Sequence, residues 1–359
     1  MKILVIALSG IGDALMFTPS FKKLHDDFPS AQIDLLAMYK GVKDIYQNLP
    51  GVNNILFHDF LNEPKLKSLS FVLGLHNKYD ISINVYPSNR KEYNIISRLI
   101  GAKKRGAVSY LRKNFINLGF LNNYKIKEND LLHNVEENIR LCEVISGKKT
   151  ESISPLNLNL SNSDIDYANN FLSTGKILKN EIVIGFHPGC SSLKNHNKRR
   201  WEAEKFAQLG RKLIDKYGAK IFVFGGPEED IIKVNICSKI NSEKVFNIGT
   251  DSLLHTAAIM NRCNLFVTND SSLMHVASAL SLKTIAILGP TNKNYIYPWQ
   301  TEYKIASLEL ECSPCFYYSP KPLTCSRNDV QFKCIKELTV DHVFERVKEF
   351  LEANSQLKN

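Results

Sequence analysis

Ile3-Leu4-Val5-Ile6-Ala7-Leu8 runs without a break into Ser9-Gly10-Ile11-Gly12-Asp13. Six apolar residues closed by a glycine turn have the length of a buried strand, and the turn opens a helical pattern. The run is too short for the apolar part of a signal peptide and leads to no small-residue cleavage site. No other stretch approaches the roughly 20 apolar residues that span a bilayer. The expectation is therefore a strand, a glycine loop and a helix start in a chain that is neither secreted by a leader nor integral to a membrane. Its default compartment is the cytoplasm.

The same rhythm continues outward from this unit. Further strand candidates stand at 32–38, 54–57 and 80–85, separated by amphipathic stretches, which predicts βαβ units and a parallel sheet. After a helix near 132–145, the segment 146–163 is rich in Ser, Asn and Lys, carries Pro155, and is the best linker candidate. A second alternating block follows, with strands expected at 181–186, 220–224, 245–248, 265–268 and 284–288. With 359 residues the chain exceeds what one core usually organises. The expected division is a first α/β domain at 1–155, a second at 156–335, and a closing stretch at 336–359. That stretch holds a helix whose stripe of Val343, Val347, Phe350 and Leu351 packs as core, on its own domain or back across to the first. A cleft between two such domains is the expected place for a ligand.

The 44% hydrophobic, 10% aromatic and 23% charged content is that of an ordinary folded protein. A formal charge of +10 fits an anionic partner, whether nucleic acid, an acidic membrane surface or a phosphorylated substrate. The clusters Lys103-Lys104-Arg105 and Lys198-Arg199-Arg200 lack the interleaved aromatics of a single-strand binding surface. The first is expected to be a solvated face.

In an open parallel sheet, ligands collect where strands end, and four strand ends here carry chemistry. Gly10 and Gly12 let the first loop turn tightly, but Leu15 stands where the third glycine of a dinucleotide fingerprint would fall, which argues against a nicotinamide enzyme. Asp13 is either a helix cap or a general base. The second loop, His187-Pro188-Gly189-Cys190-Ser191-Ser192, leads to Arg199-Arg200-Trp201. Hydroxyls, amides and a guanidinium fork suit a pyrophosphate, although an ordinary surface loop has the same composition. The third, Gly225-Gly226-Pro227-Glu228-Glu229, allows close approach of a nucleoside, with a carboxylate for ribose hydroxyls or for a helix cap. The fourth, Thr268-Asn269-Asp270-Ser271-Ser272-Leu273-Met274-His275, opens an Ala-containing helix whose free amides favour a diphosphate. His275 falls about one turn after Ser271, so its ring can face the same ligand or be a satisfied core histidine.

Taken together and in this order, these loops resemble glycosyltransferase family 9, the bacterial heptosyltransferases. The stretches that carry the resemblance are Gly10-Ile11-Gly12-Asp13 with Thr18-Pro19, His187-Pro188-Gly189 with Arg199-Arg200-Trp201, Phe224-Gly225-Gly226-Pro227-Glu228, Asp270-Ser271-Ser272-Leu273-Met274-His275, and Leu288-Gly289-Pro290-Thr291. The resemblance implies a GT-B architecture, two Rossmann-like domains facing a cleft. It also implies inverting transfer of a heptose from ADP-heptose to a glycan or glycolipid acceptor such as the lipopolysaccharide core, with no metal required for catalysis. By the same resemblance, Asp13 looks like the base beside the acceptor loop of Gly10 and Gly12, and Arg199 like the cation on the leaving diphosphate. Ser191, Ser192, Glu228, Asp270, Ser271, Ser272 and His275 look like donor-site residues. Ser272 departs from the glycine usual in the family. The implied setting is the cytoplasm, with peripheral contact at the inner membrane surface and no nucleic-acid partner. Another nucleotide sugar, a protein acceptor or a nucleotide-sugar epimerase are the alternatives of the same architecture.

Cys312, Cys315, Cys325 and Cys334 cluster in one loop-rich segment. In a cytosolic chain this pattern suggests a structural four-thiolate site for zinc or iron, or else a set of buried small hydrophobes. Similar clusters occur in iron-binding members of the family. A nucleic-acid-binding zinc ribbon would also account for the cysteines and the charge, but it leaves the four loops unexplained.

Overall fold

The expected first strand forms as β1 (Lys2–Ala7) and lies in the middle of its sheet, because Ile3 to Ala7 are apolar on both faces and all are buried. In a computed structural model of the chain, which describes residues 1–317 and 322–356, β1 pairs in parallel with β2 (Gln32–Ala37) and with β4 (Ile81–Asn84). β3 (Val52–Phe57), β5 (Lys104–Ser109) and β6 (Tyr124–Lys127) complete the sheet in the order β3-β2-β1-β4-β5-β6. The helices form two layers. α1 (Ile11–Met16) packs on α3 (Lys40–Gln47), and α2 (Thr18–Asp27) packs on α6 (Asn134–Ser146). On the other side α4 (Lys65–Leu73) packs on α5 (Lys91–Ile100), and α5 on the 3-10 turn Gly119–Leu121.

Two of these strands were not expected. β5 begins in the Lys103-Lys104-Arg105 cluster that the sequence assigns to a solvated face. Arg105 is instead half-buried, its guanidinium donating to the carbonyls of Ala102 and Leu121, and burial draws its pKa down. β6 has only the buried Ile126 as an inward anchor.

The chain divides after Asn159, and the second unit starts at Leu160. α7 (Asn162–Thr174) leads into β7 (Val183–His187). α8 (Ala203–Tyr217), β8 (Lys220–Val223), α9 (Asp230–Ile240), β9 (Val245–Asn247), α10 (Leu253–Met260), β10 (Leu265–Asn269), α11 (Ser272–Ala279) and β11 (Thr284–Ile287) follow. α12 (Lys293–Ile296), β12 (Tyr303–Ala306), α13 (Lys333–Lys336) and α14 (Val340–Gln356) close it. The sheet order is β12-β11-β10-β7-β8-β9, so the second unit repeats the strand order of the first. α14 packs on α8, β11 and β12, sending Val343, Phe344, Val347 and Phe350 into the core of this unit. Among the described residues no helix is long and apolar enough to cross a membrane.

In each sheet the chain reverses direction beside the central strand, between β1 and β4 and between β7 and β10. Loops leaving neighbouring strands diverge there and open a crevice at the strands' C-terminal ends. The first, second and fourth loops singled out in the sequence all leave such strands.

Candidate functional site

In the second unit the crevice is built from the ends of β7, β8, β10 and β11. Asn269, the last residue of β10, is buried and accepts from the Trp201 amide at 3.0 Å while donating to the Pro188 carbonyl at 2.7 Å. Trp201 is itself anchored by its indole N–H to the Leu338 carbonyl at 2.9 Å. These bonds fix the two arginines immediately before Trp201 against the loop that opens α11. Ser271 is the N-cap of α11 in extended geometry (φ −155°, ψ 169°) and makes no side-chain cap bond, so, apart from the Met274 amide, which donates to the Ser271 carbonyl at 3.2 Å, the helix offers its N-terminal end to the crevice.

Arg199 pairs with the carboxylate of Asp270, which also accepts from Thr291 Oγ1 at 2.6 Å. The guanidinium lies 5.5 Å from the centre of the Phe316 ring. Arg200 donates to the Cys190 carbonyl and stands 3.6 Å from Glu229. Three buried nitrogens in this group have no hydrogen-bond partner among the described residues: Arg199 Nε, Arg200 Nε and His275 Nδ1. Burying such groups unmatched is costly, and a guanidinium Nε–H can be matched only by an acceptor. Burial pulls the His275 pKa down to about 4, against a smaller upward pull from Asp270, so the ring is neutral near pH 7.

Beneath this group runs a second network that the sequence reading did not single out. His187, at the end of β7, is buried, with Nδ1 2.7 Å from Ser271 Oγ and Nε2 3.1 Å from Glu229 Oε2. Ser271 Oγ also lies 3.1 Å from Thr268 Oγ1, and Glu229 accepts from the Gly226 amide at 3.0 Å. Burial alone would push the Glu229 pKa up. The hydrogen bond and charge of His187, the Gly226 amide and Arg200 together outweigh burial and leave it below its ordinary value. One imidazole thus ties together the second, third and fourth loops. Gly189 is required by the same carboxylate, because a Cβ there would lie 1.7 Å from Glu229 Oε1.

The structure therefore brings Arg199, Asp270, Ser271 and His275 together, with Ser272 as the first residue of α11. Ser191, Ser192 and Glu228 are exposed and enter none of these contacts; it is Glu229 that points inward. His187 and Glu229 lay within loops already picked out by their glycines, but nothing in the sequence shows that they meet across 42 residues.

In the first unit, Gly10 caps α1 and its amide donates to Asp13 Oδ2 at 3.1 Å, so Asp13 does serve as a cap. The loop after β4 brings Arg90 to the same edge of the sheet, 5.8 Å from the centre of the Tyr93 ring. Burial raises the Tyr39 hydroxyl pKa, with Arg90 lowering it and Asp13 raising it, which places Asp13 and Arg90 in one electrostatic neighbourhood. Tyr93 fixes this corner by donating to the Leu8 carbonyl at 2.7 Å.

The side-chain placement lends the expected metal site at the four clustered cysteines no support. Among the described residues no group of three or more His, Cys, Asp or Glu side chains is placed to hold a metal ion. Cys325 packs with Phe316, Leu323 and Phe332 and accepts from the Phe332 amide at 3.2 Å, while Cys312 faces Arg327 at 3.7 Å. Cys334 is buried, and burial first, then the neighbouring thiols, push its pKa up to about 11. A thiolate centre needs four sulfurs converging at about 2.3 Å on one point. Cys325 borders the small core of Phe316, Leu323 and Phe332, and Cys334 lies in the core of the second unit with the other three thiols near enough to act on its charge.

Residues 70–323 match glycosyltransferase family 9 (heptosyltransferase). The chain is 26% identical to lipooligosaccharide heptosyltransferase 2 of Campylobacter jejuni, covering 99% of this chain and 100% of that one. The solved structure of E. coli ADP-heptose lps heptosyltransferase II superposes with a TM-score of 0.75 at 21% identity, over 99% of this chain and 100% of that one. E. coli heptosyltransferase WaaC, solved with ADP-2-deoxy-2-fluoro heptose, superposes with a TM-score of 0.62 at 18% identity, over 99% of this chain and 100% of that one. These likenesses establish the GT-B fold.

Proposed function

The chain belongs to glycosyltransferase family 9, and from that premise we propose that it transfers a heptose from ADP-heptose to a sugar hydroxyl of a lipopolysaccharide or lipooligosaccharide core. The observation that supports the donor side is the pair of guanidinium groups, Arg199 held by Asp270 and Arg200 by the Cys190 carbonyl, brought to the loop that opens α11. A diphosphate supplies acceptor oxygens and negative charge where guanidinium groups and helix amides supply donors. Asp270 and Thr291 hold the Arg199 fork by its Nη1 end. The exposed hydroxyls of Ser191 and Ser192 and the carboxylate of Glu228 are assigned to the outer phosphate and ribose contacts of the same donor.

The reaction proceeds with inversion. The acceptor hydroxyl oxygen attacks the anomeric carbon as the bond from that carbon to the diphosphate oxygen breaks, and the hydroxyl proton passes to the Asp13 carboxylate. The electron pair of the broken bond leaves with ADP, where the arginines and the α11 amides neutralise it. The two cations and the helix terminus supply the charge stabilisation that a metal supplies in other transferases, so no catalytic metal is invoked. The acceptor is a glycolipid met at the cytoplasmic face of the inner membrane.

Thermal unfolding in the presence of nucleotide sugars tests the donor. At about 100 times its dissociation constant a ligand adds ~2.7 kcal/mol of stability. ADP-heptose, or ADP alone, is expected to stabilise more than UDP- or GDP-sugars at equal concentration, and equal stabilisation by all three refutes the assignment.

A further inference from the structure

The loop after β11, Leu288-Gly289-Pro290-Thr291, is tied down by the cysteine-bearing segment that follows β12. The Cys315 and Phe316 amides donate to the Pro290 carbonyl at 3.0 and 2.8 Å, and Ser313 Oγ donates to the Gly289 carbonyl at 3.0 Å. Phe316 also forms a parallel bridge with Thr291. Further along, the Leu323 amide donates to the Lys194 carbonyl at 2.8 Å, and the Leu323 carbonyl accepts from Asn195 Nδ2 at 3.4 Å. Lys194 and Asn195 hold positive φ values of 55° and 61°, a conformation that costs energy in residues with side chains. The Leu323 bonds help to keep that turn in place. One segment thus clasps both the turn that leads to Arg199 and the loop that supplies Thr291.

Between these two loops lies the Phe316 ring. It is buried in a small core with Leu323, Phe332 and Cys325, its centre lies 5.5 Å from Arg199 Cζ, and the His196 ring meets it edge-on at 5.3 Å. The guanidinium is therefore held from several directions. Its Nη1 meets Asp270 and Thr291, its Nη2 lies 3.4 Å from His196 Nδ1, and an aromatic face stands against it. A cation fixed before the reaction stabilises departing charge without reorganising, whereas a long side chain free to change rotamer must be ordered at that moment. Most apolar neighbours only desolvate a guanidinium. An aromatic face also attracts it, and the attraction grows as water is excluded.

We propose that Phe316 is a positioning residue for the leaving diphosphate: acting through Arg199, its ring holds the guanidinium in the orientation that meets the phosphate oxygens. The cysteine-bearing segment is the frame that delivers the ring to this place, and Thr291 and His196 share the task from the two loops it clasps. The inference rests on the donor reading above and adds to it a residue whose effect passes entirely through Arg199. That route separates it from ordinary packing. A residue that only fills the small core would matter equally whether or not a guanidinium stood beside it.

Isothermal titration of the full chain with ADP tests it. Phe316→Leu keeps an apolar side chain in the small core and is expected to weaken ADP binding about fivefold. Phe316→Tyr retains the aromatic face and should stay within about twofold of wild type. Phe332→Leu disturbs the same core at a different ring, so it should lower melting temperature much as Phe316→Leu does while leaving ADP affinity within about twofold. In an Arg199→Gln background, followed at raised ADP concentration, adding Phe316→Leu should change affinity by less than about twofold, because the group to be positioned is gone. Wild-type affinity in Phe316→Leu overturns the proposal. So does an equal loss in Phe332→Leu, or an undiminished loss in the Arg199→Gln background, either of which reduces the ring to core packing. Wild-type protein that binds no ADP overturns the donor reading itself and takes this inference with it.

Discussion

Gly189→Ala isolates the network beneath Arg199 and Arg200. The glycine's φ lies outside the left-handed region, so alanine meets no backbone strain and the effect is that of one methyl group. Its Cβ would lie 1.7 Å from Glu229 Oε1, 2.1 Å from Cδ and 2.6 Å from Oε2. That is about 1.5 Å or more short of ordinary contact for the nearest atom, so the carboxylate must leave. It then gives up His187 Nε2, the Gly226 amide and the neighbourhood of Arg200, and leaves a buried imidazole and a guanidinium unmatched. Losing a charged hydrogen bond and stranding its partners costs roughly 2–4 kcal/mol, a fall of roughly 5–10 °C in melting temperature. Ser271, held by the other nitrogen of His187, loosens at the start of α11, so ADP affinity should fall as well. A double-mutant cycle gives the decisive comparison. With Glu229→Ala already present, adding Gly189→Ala should cost less than about 0.5 kcal/mol, because nothing remains to clash with. A small effect of Gly189→Ala alone, or an equal effect in both backgrounds, would refute the reasoning.

Three further outcomes follow from the same geometry. Asp13→Asn preserves the shape of the α1 cap, so melting temperature and ADP affinity should hold while kcat and kcat/KM fall together by roughly a hundredfold or more; near-normal turnover rules Asp13 out as the base. Arg199→Gln removes a donor from the diphosphate and leaves Asp270 buried without its cation, so ADP affinity should drop by roughly 1.5–3 kcal/mol and stability should fall with it; isothermal titration and urea unfolding read the two separately. His275 has a folded pKa of about 4, below its ordinary value of 6.5. Its contribution to stability is therefore complete above about pH 6.5 and is lost as pH falls from there through 4. Up to roughly 3 kcal/mol is at stake, which His275→Gln should remove from the pH dependence of urea unfolding.

The fold was legible where apolar runs were long and bounded. Ile3 to Leu8 and the run ending at Thr268 announce central strands because both faces are buried, and the Gly, Pro and Asp residues after them mark loops. β5 and β6 were not legible, since Lys104 and Arg105 open the first and only Ile126 anchors the second. β12, with Tyr303 exposed at the sheet edge, has the same weakness. Within the site, Arg199, Asp270 and His275 stood out by type and spacing. The His187–Glu229 contact and the inward turn of Glu229 rather than Glu228 depend on how three crossovers stack, which no local pattern encodes. For the cysteines, the spacing suggests a ligand set, and what the structure shows around Cys325 and Cys334 is packing against Phe332 and beside Gly289.

The order in which the first sheet is completed bears on how the protein is made. Its six strands all lie between Lys2 and Lys127, and α6, which packs on β5 and β6, ends at Ser146. Every pairing partner of this sheet has therefore been synthesised while more than half of the polypeptide is still to come. At roughly 5–20 residues per second, the remaining 200 or so residues take about 10–40 seconds to emerge. That interval is ample for a parallel sheet, whose central strand must wait for β4 to arrive some 80 residues later before both its edges are covered. The first unit can thus hide its apolar strand edges on the ribosome before the second, with the same strand order, offers a competing set of partners.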